Sequence, residues 1–250
     1  NHDGTYSIFP LDKQIPFNSK KTYRNLNTKL NIVLNVPESL MCANRFGDME
    51  PSTFPSVFMK KNTKALLNEQ VQISPTSMEE ETGNRHPQDP GRVSLRKKMR
   101  EMFSEPSNIN SGQLFPHEIM CKYMDSESML NKDMYEAIWA SKIMDTNEKL
   151  MKVREKLAQE FSGGDKISRA LKSGNFIGCA DVSGSMTMYD KPPNRPIDIA
   201  VGLTLFMSEI ASPNFRHLAL SFTNIPCVFS LGNKSLGEKY SAIMKHVGYS

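Results

Sequence analysis

Apolar positions recur at three- and four-residue spacing through most of the first 160 residues of the chain, then give way after Gly174 to short continuous runs. The first pattern predicts helices and the second predicts buried strands. Residues 1–30 are polar, with turn signals at Gly4, Pro10 and Pro16, and are expected to form an extended arm docked on another surface. Ile32, Val33, Leu34, Val36, Leu40 and Met41 carry a helical pattern interrupted, or restarted, at Pro37. A second helix is expected over Ser56–Asn68, with Pro55 in its first turn. Residues 71–92, with Pro75, Pro87 and Pro90 and the run Glu79-Glu80-Glu81, read as a long loop. A basic helix follows over Arg92–Phe103. Pro116–Met124, Asp125–Ile143 and Asn147–Phe161 then read as three consecutive helices, the last stopped by Ser162-Gly163-Gly164.

Beyond this point the period changes. Phe176–Ala180 predicts a buried, central parallel strand, and Pro196–Ala211 predicts an almost wholly apolar helix. His217–Phe222 and Cys227–Leu231 predict two more strands, split by Thr223-Asn224-Ile225-Pro226, and Ser235–Val247 a last helix. Strand, helix, strand, strand, helix is the order of an α/β sheet.

Composition narrows the classes. The chain has 250 residues, 38% of them hydrophobic, enough for one or two domains, and no apolar stretch of about 20 residues that would span a bilayer. Without a basic, then apolar, leader at its start, the chain is expected to be intracellular, in the cytoplasm, and to have no membrane partner. A net charge of +4 permits nucleic-acid binding without arguing for it. Cys42, Cys121, Cys179 and Cys227 are too dispersed for a zinc motif and read as free thiols. The sixteen methionines read as adaptable core filler, a promiscuous groove being the sharper alternative.

Candidate chemistry concentrates in Asp181-Val182-Ser183-Gly184-Ser185-Met186-Thr187. One carboxylate and two hydroxyls alternate at i, i+2 and i+4, just past the predicted strand, where ligands bind in open α/β sheets. Three hard oxygen donors suit Mg2+, or Mn2+ in its place. The same residues also suit a plain turn, in which Asp181 caps the next amides and the serines bond locally. A serine nucleophile is disfavoured, because Gly-x-Ser-x-Gly is absent. His117-Glu118 reads as a helix start rather than an acid/base pair. Arg96, Lys97, Lys98 and Arg100 form a basic cluster that suits phosphate contact or a solvated helix face.

With its preceding strand and following helix, Asp181-Val182-Ser183-Gly184-Ser185-Met186 resembles the metal-ion-dependent adhesion site of von Willebrand factor type A (vWA) domains. The resemblance implies a fold in which a mainly helical N-terminal region precedes the first half of a doubly wound, Rossmann-like vWA sheet. Its domains would be the arm over 1–30, the helical region over 31–170 and the half-domain over 171–250. It implies that Asp181 meets the cation through water and that Ser183 and Ser185 bind it directly, with a threonine, and often an aspartate, from later loops. Residues 52–69 (STFPSVFMKKNTKALLNE), 111–120 (SGQLFPHEIM) and the run CADVSGSM resemble an uncharacterised domain family that joins a helical region to a vWA-like domain. The layout is similar to that of the Ro autoantigen (TROVE) proteins. The function expected is a non-enzymatic, metal-dependent interaction module or scaffold, its cation completed by an acidic side chain of a protein partner. The alternatives are an RNA-associated protein and a structural part of a larger assembly with a vestigial metal site.

Overall fold

The structure, a computed structural model, describes residues 19–69, 83–160, 174–187, 191–223 and 225–247. The chain divides into two units, Asn1–Met49 and Glu50–Ser250. In the first, α1 (Ser19–Val33) and α2 (Pro37–Cys42) follow each other. The extended arm expected over 1–30 is therefore helical from Ser19; residues 1–18 of that expectation lie outside the described residues. Ser19–Val33 contains neither glycine nor proline, and its lysines, arginine and leucines favour helix. Asn35 ends α1 in the left-handed region at φ 49°: Val36 N–H donates to Asn31 O at 3.0 Å and Asn35 N–H to Ile32 O at 3.2 Å. This satisfies two carbonyls that the helix end leaves open. Pro37 opens α2 at its first position, as its fixed φ favours.

The second unit is mainly helical. Its helices α3 (Ser56–Leu66), α4 (Pro90–Phe103) and α5 (Pro116–Met124) fall close to where the periodicity places them. Pro55 is the N-cap residue of α3 rather than part of its first turn, and α4 starts at Pro90, capped by Asp89. The two helices expected over Asp125–Ile143 and Asn147–Phe161 are one, α6 (Met129–Glu160). No glycine or proline interrupts it, and Lys149–Asp145 and Lys152–Glu148 pairs, each 2.6 Å, brace the stretch where a break was expected. The stop at 162–164 lies outside the described residues.

The core of this unit holds Phe54, Leu66, Leu95, Leu114, Ile119 and Ile138, with Met59, Met99, Met120 and Met134 fully buried beside them. These methionines fill the core, as the filler reading requires. Trp139 of α6 meets Phe206 of α7 (Pro196–Ile210) edge to face, with ring centroids 5.6 Å apart.

The sheet has three strands in the order β1 (Gly178–Asp181), β2 (Leu218–Phe222), β3 (Val228–Ser230). β1 and β2 are parallel, with Asp181 opposite Phe222, and α7 crosses between them; β3 returns antiparallel to β2. A last helix, α8 (Leu236–Met244), starts at a reciprocal cap between Ser235 and Glu238. The fold is thus mixed α/β with a small sheet. Three expectations about β1 are corrected. Among the described residues β1 lies at the sheet's edge, not its centre, and starts at Gly178 rather than Phe176. It is also buried on one face only: Gly178 and Ala180 are covered and Cys179 is exposed. The reason lies in the layers. α7 packs on the face built from the small residues Gly178, Ala180, Ala219 and Ser221, whereas Phe222 and Val228 on the opposite face are 65% and 66% exposed. A doubly wound sheet would carry helices on both faces.

Candidate functional site

β1 delivers Asp181 to its C-terminal end, and the fully buried Val182 anchors the chain there, its N–H directed at Phe222 O, 3.5 Å away. The chain then turns in a short 3-10 segment, Gly184–Thr187. Ser183 N–H donates to Asp181 Oδ1 at 3.0 Å, Met186 N–H to Ser183 O at 3.0 Å, and Thr187 Oγ1 to Gly184 O at 2.7 Å. The hydroxyl oxygens of Ser183 and Ser185 lie 3.1 Å apart. Asp181 and Ser183 are half-buried and Ser185 is exposed. The three residues singled out from the sequence thus share one turn at the strand end. The aspartate also caps that turn, as a purely structural turn would have it.

The donor set suits a hard cation in one measurable respect. Adjacent oxygens around Mg2+ at about 2.1 Å in an octahedron lie about 3.0 Å apart, close to the 3.1 Å at which the two serine hydroxyls hydrogen-bond to each other. It is short of carboxylates: among the described residues no three His, Cys, Asp or Glu side chains gather into a metal-holding group.

At the start of α7 the structure reveals a network that the sequence reading missed. α7 packs against the 184–187 turn and begins at Arg195, its N-cap, followed by Pro196. The Arg195 guanidinium holds the fully buried Asp198 carboxylate with two bonds, Nε to Oδ2 at 2.9 Å and Nη2 to Oδ1 at 2.8 Å. Hydrogen bonding to Asp198 raises the Arg195 pKa further above its ordinary value. Burial first, then the Asp198 charge, raises the Tyr240 phenol on α8. Burial likewise pushes the Cys121 thiol on α5 up to about 12. Arg-Pro-x-Asp was the available signal: proline just inside a helix start, with an acid in the first turn.

His117 and Glu118 have structural roles. Glu118 accepts from Phe115 N–H at 3.0 Å and from Lys60 Nζ at 2.5 Å, while His117 stacks on Phe115 with ring centroids 5.7 Å apart. Burial lowers the His117 pKa. The basic cluster on α4 does not share one open face. Lys97 and Arg100 are exposed, whereas Arg96 and Lys98 are half-buried, Arg96 donating to Asn84 at 3.3 Å and Lys98 lying 4.0 Å from Glu50. No described helix is long and apolar enough to cross a membrane.

Residues 175–248 match the profile of a family described as a domain of unknown function (DUF7788). The match runs from just before β1 to beyond α8, so it takes in the sheet, the 181–187 turn and α7. No curated protein and no solved structure matches the chain.

Proposed function

We propose that the turn after β1 is a divalent-cation site of the vWA adhesion type, and that the chain is a non-enzymatic interaction module. The observation that carries this reading is the pair of hydroxyls, Ser183 Oγ and Ser185 Oγ, 3.1 Å apart beside Asp181 at the end of a parallel strand. The sequence order of strand, turn, long apolar helix and second parallel strand, which the vWA resemblance requires, supports it too. In this reading Ser183 and Ser185 hold Mg2+ or Mn2+, Asp181 attracts it through water, and an acidic side chain from a protein partner fills an open position. The cation supplies a localised positive charge that a carboxylate can bind. Asp181 supplies the only negative charge of the three ligands, and the serines fix the position. Ser183 N–H holds the Asp181 carboxylate in place.

Calorimetric titration with Mg2+ and Mn2+ tests the site. Wild-type chain is expected to bind both, and Asp181→Ala to bind neither while melting at nearly the wild-type temperature. Ser183→Ala and Ser185→Ala should each weaken binding less, because water replaces a neutral hydroxyl in an octahedral shell. Asp181→Ala that binds metal like wild type would reduce the motif to a turn and favour a scaffold role.

A further inference from the structure

The helix α1 carries an apolar stripe for which the metal site has no use. Tyr23, Leu26, Leu30 and Val33 follow one another at spacings of three, four and three residues and are 65%, 42%, 47% and 76% exposed. Ile32, 61% exposed, lies beside this stripe; the stripe itself has the a/d spacing of the seam by which one helix packs against another. The charges around it have one sign: Lys20, Lys21, Arg24 and Lys29 are the only charged residues in Ser19–Val33. With Tyr23 and Leu30 at the a positions and Leu26 and Val33 at the d positions of a heptad, Lys20 and Lys29 occupy the flanking e and g positions. Charges at those positions select the partner.

We propose that this seam docks a second helix of acidic amphipathic character, with apolar residues against Tyr23, Leu26, Leu30 and Val33 and glutamate or aspartate against Lys20 and Lys29. A second copy of α1 offers no acidic residue to Lys20 and Lys29. Burial of four exposed apolar side chains supplies the attraction, and the lysines supply the choice of partner. The inference is independent of the cation site.

Fluorescence anisotropy with the whole chain tests it, using a labelled synthetic helix with leucine at a and d and glutamate at e and g. Wild type is expected to bind this peptide, and a scrambled peptide of the same composition at least about tenfold more weakly. The pair Leu26→Asp with Leu30→Asp should remove binding. The pair Lys20→Gln with Lys29→Gln should weaken it several-fold and flatten its salt dependence. Circular dichroism and thermal melts of both variants check that the remaining helices are intact; the substituted side chains are exposed, so these should match wild type. Absence of peptide binding, equal binding of the scrambled peptide, or wild-type affinity in the aspartate variant would overturn the proposal. So would binding to vesicles of phosphatidylcholine and phosphatidylserine in place of the peptide, or a dimer of the chain itself that Leu26→Asp dissolves.

Discussion

Among the described residues, three helices end on an asparagine in the left-handed region: Asn35, Asn44 and Asn68, with φ of 49°, 53° and 44°. The same backbone device hides different side-chain roles. Asn35 is exposed, so Asn35→Gly relieves the conformational cost and should leave stability unchanged or raise it by a few tenths of a kcal/mol. Asn68 is 1% exposed; its side chain donates to Asn84 at 3.0 Å and accepts from His86 N–H at 2.9 Å. Asn68→Gly strips those bonds, one of them from the buried Asn84, and should cost about 1–3 kcal/mol despite the easier backbone. Urea unfolding of the two variants separates the cases. Thiol chemistry gives a second check at this scale. Cys121 is buried with its pKa pushed up to about 12, whereas Cys42 and Cys179 are exposed. Iodoacetamide at neutral pH, followed by peptide mass spectrometry, should label Cys42 and Cys179 and reach Cys121 only after unfolding.

Between elements, α5 and α7 approach closely at Gly202. A Cβ placed on Gly202 would lie 2.6 Å from His117 Cα and 2.8 Å from its backbone nitrogen, so the two helices meet where the side chain is missing. Gly202→Ala gains helix propensity but forces these backbones apart, and a net loss of about 1–3 kcal/mol is expected in thermal melts. Gly178 does the same for β1 and α7: a Cβ there would sit 3.0 Å from Thr204 O. The link between α3 and α5 is electrostatic. Burial alone would raise the Glu118 pKa, but the Lys60 bond and the Phe115 amide outweigh it and hold the pKa below the model-peptide value of 4.5. A carboxylate lowered in the folded state contributes stability above about pH 4.5 and loses it as pH falls through its folded value. Lys60→Met removes the partner and leaves the burial, so Glu118 should titrate higher. The acid unfolding midpoint, followed by circular dichroism, should then move to higher pH; an unchanged midpoint would show that the pair adds nothing.

For the whole molecule, what the sequence revealed depended on how local the determining physics was. Pro116–Met124 was legible to the residue because proline at its first position and its apolar spacing are local signals. The single helix Met129–Glu160 was not, because a run of polar residues at 145–149 resembles a break until the ion pairs bridging i and i+4 are counted. β1 was legible as a strand but not as an edge, since strand order is set by pairing with β2, far along the chain. In the candidate site, the grouping of Asp181, Ser183 and Ser185 followed from their spacing. The Arg195–Asp198 network at the start of α7 did not, as it required knowing that Asp198 is fully buried once α7 packs on its neighbours. The central claim is that this turn holds a cation, and electron paramagnetic resonance of Mn2+ added to the chain tests it most directly. The account predicts about one bound Mn2+ per chain, displaced by Mg2+ and absent in Asp181→Ala; no bound Mn2+ in wild type, or undiminished binding in Asp181→Ala, would contradict it.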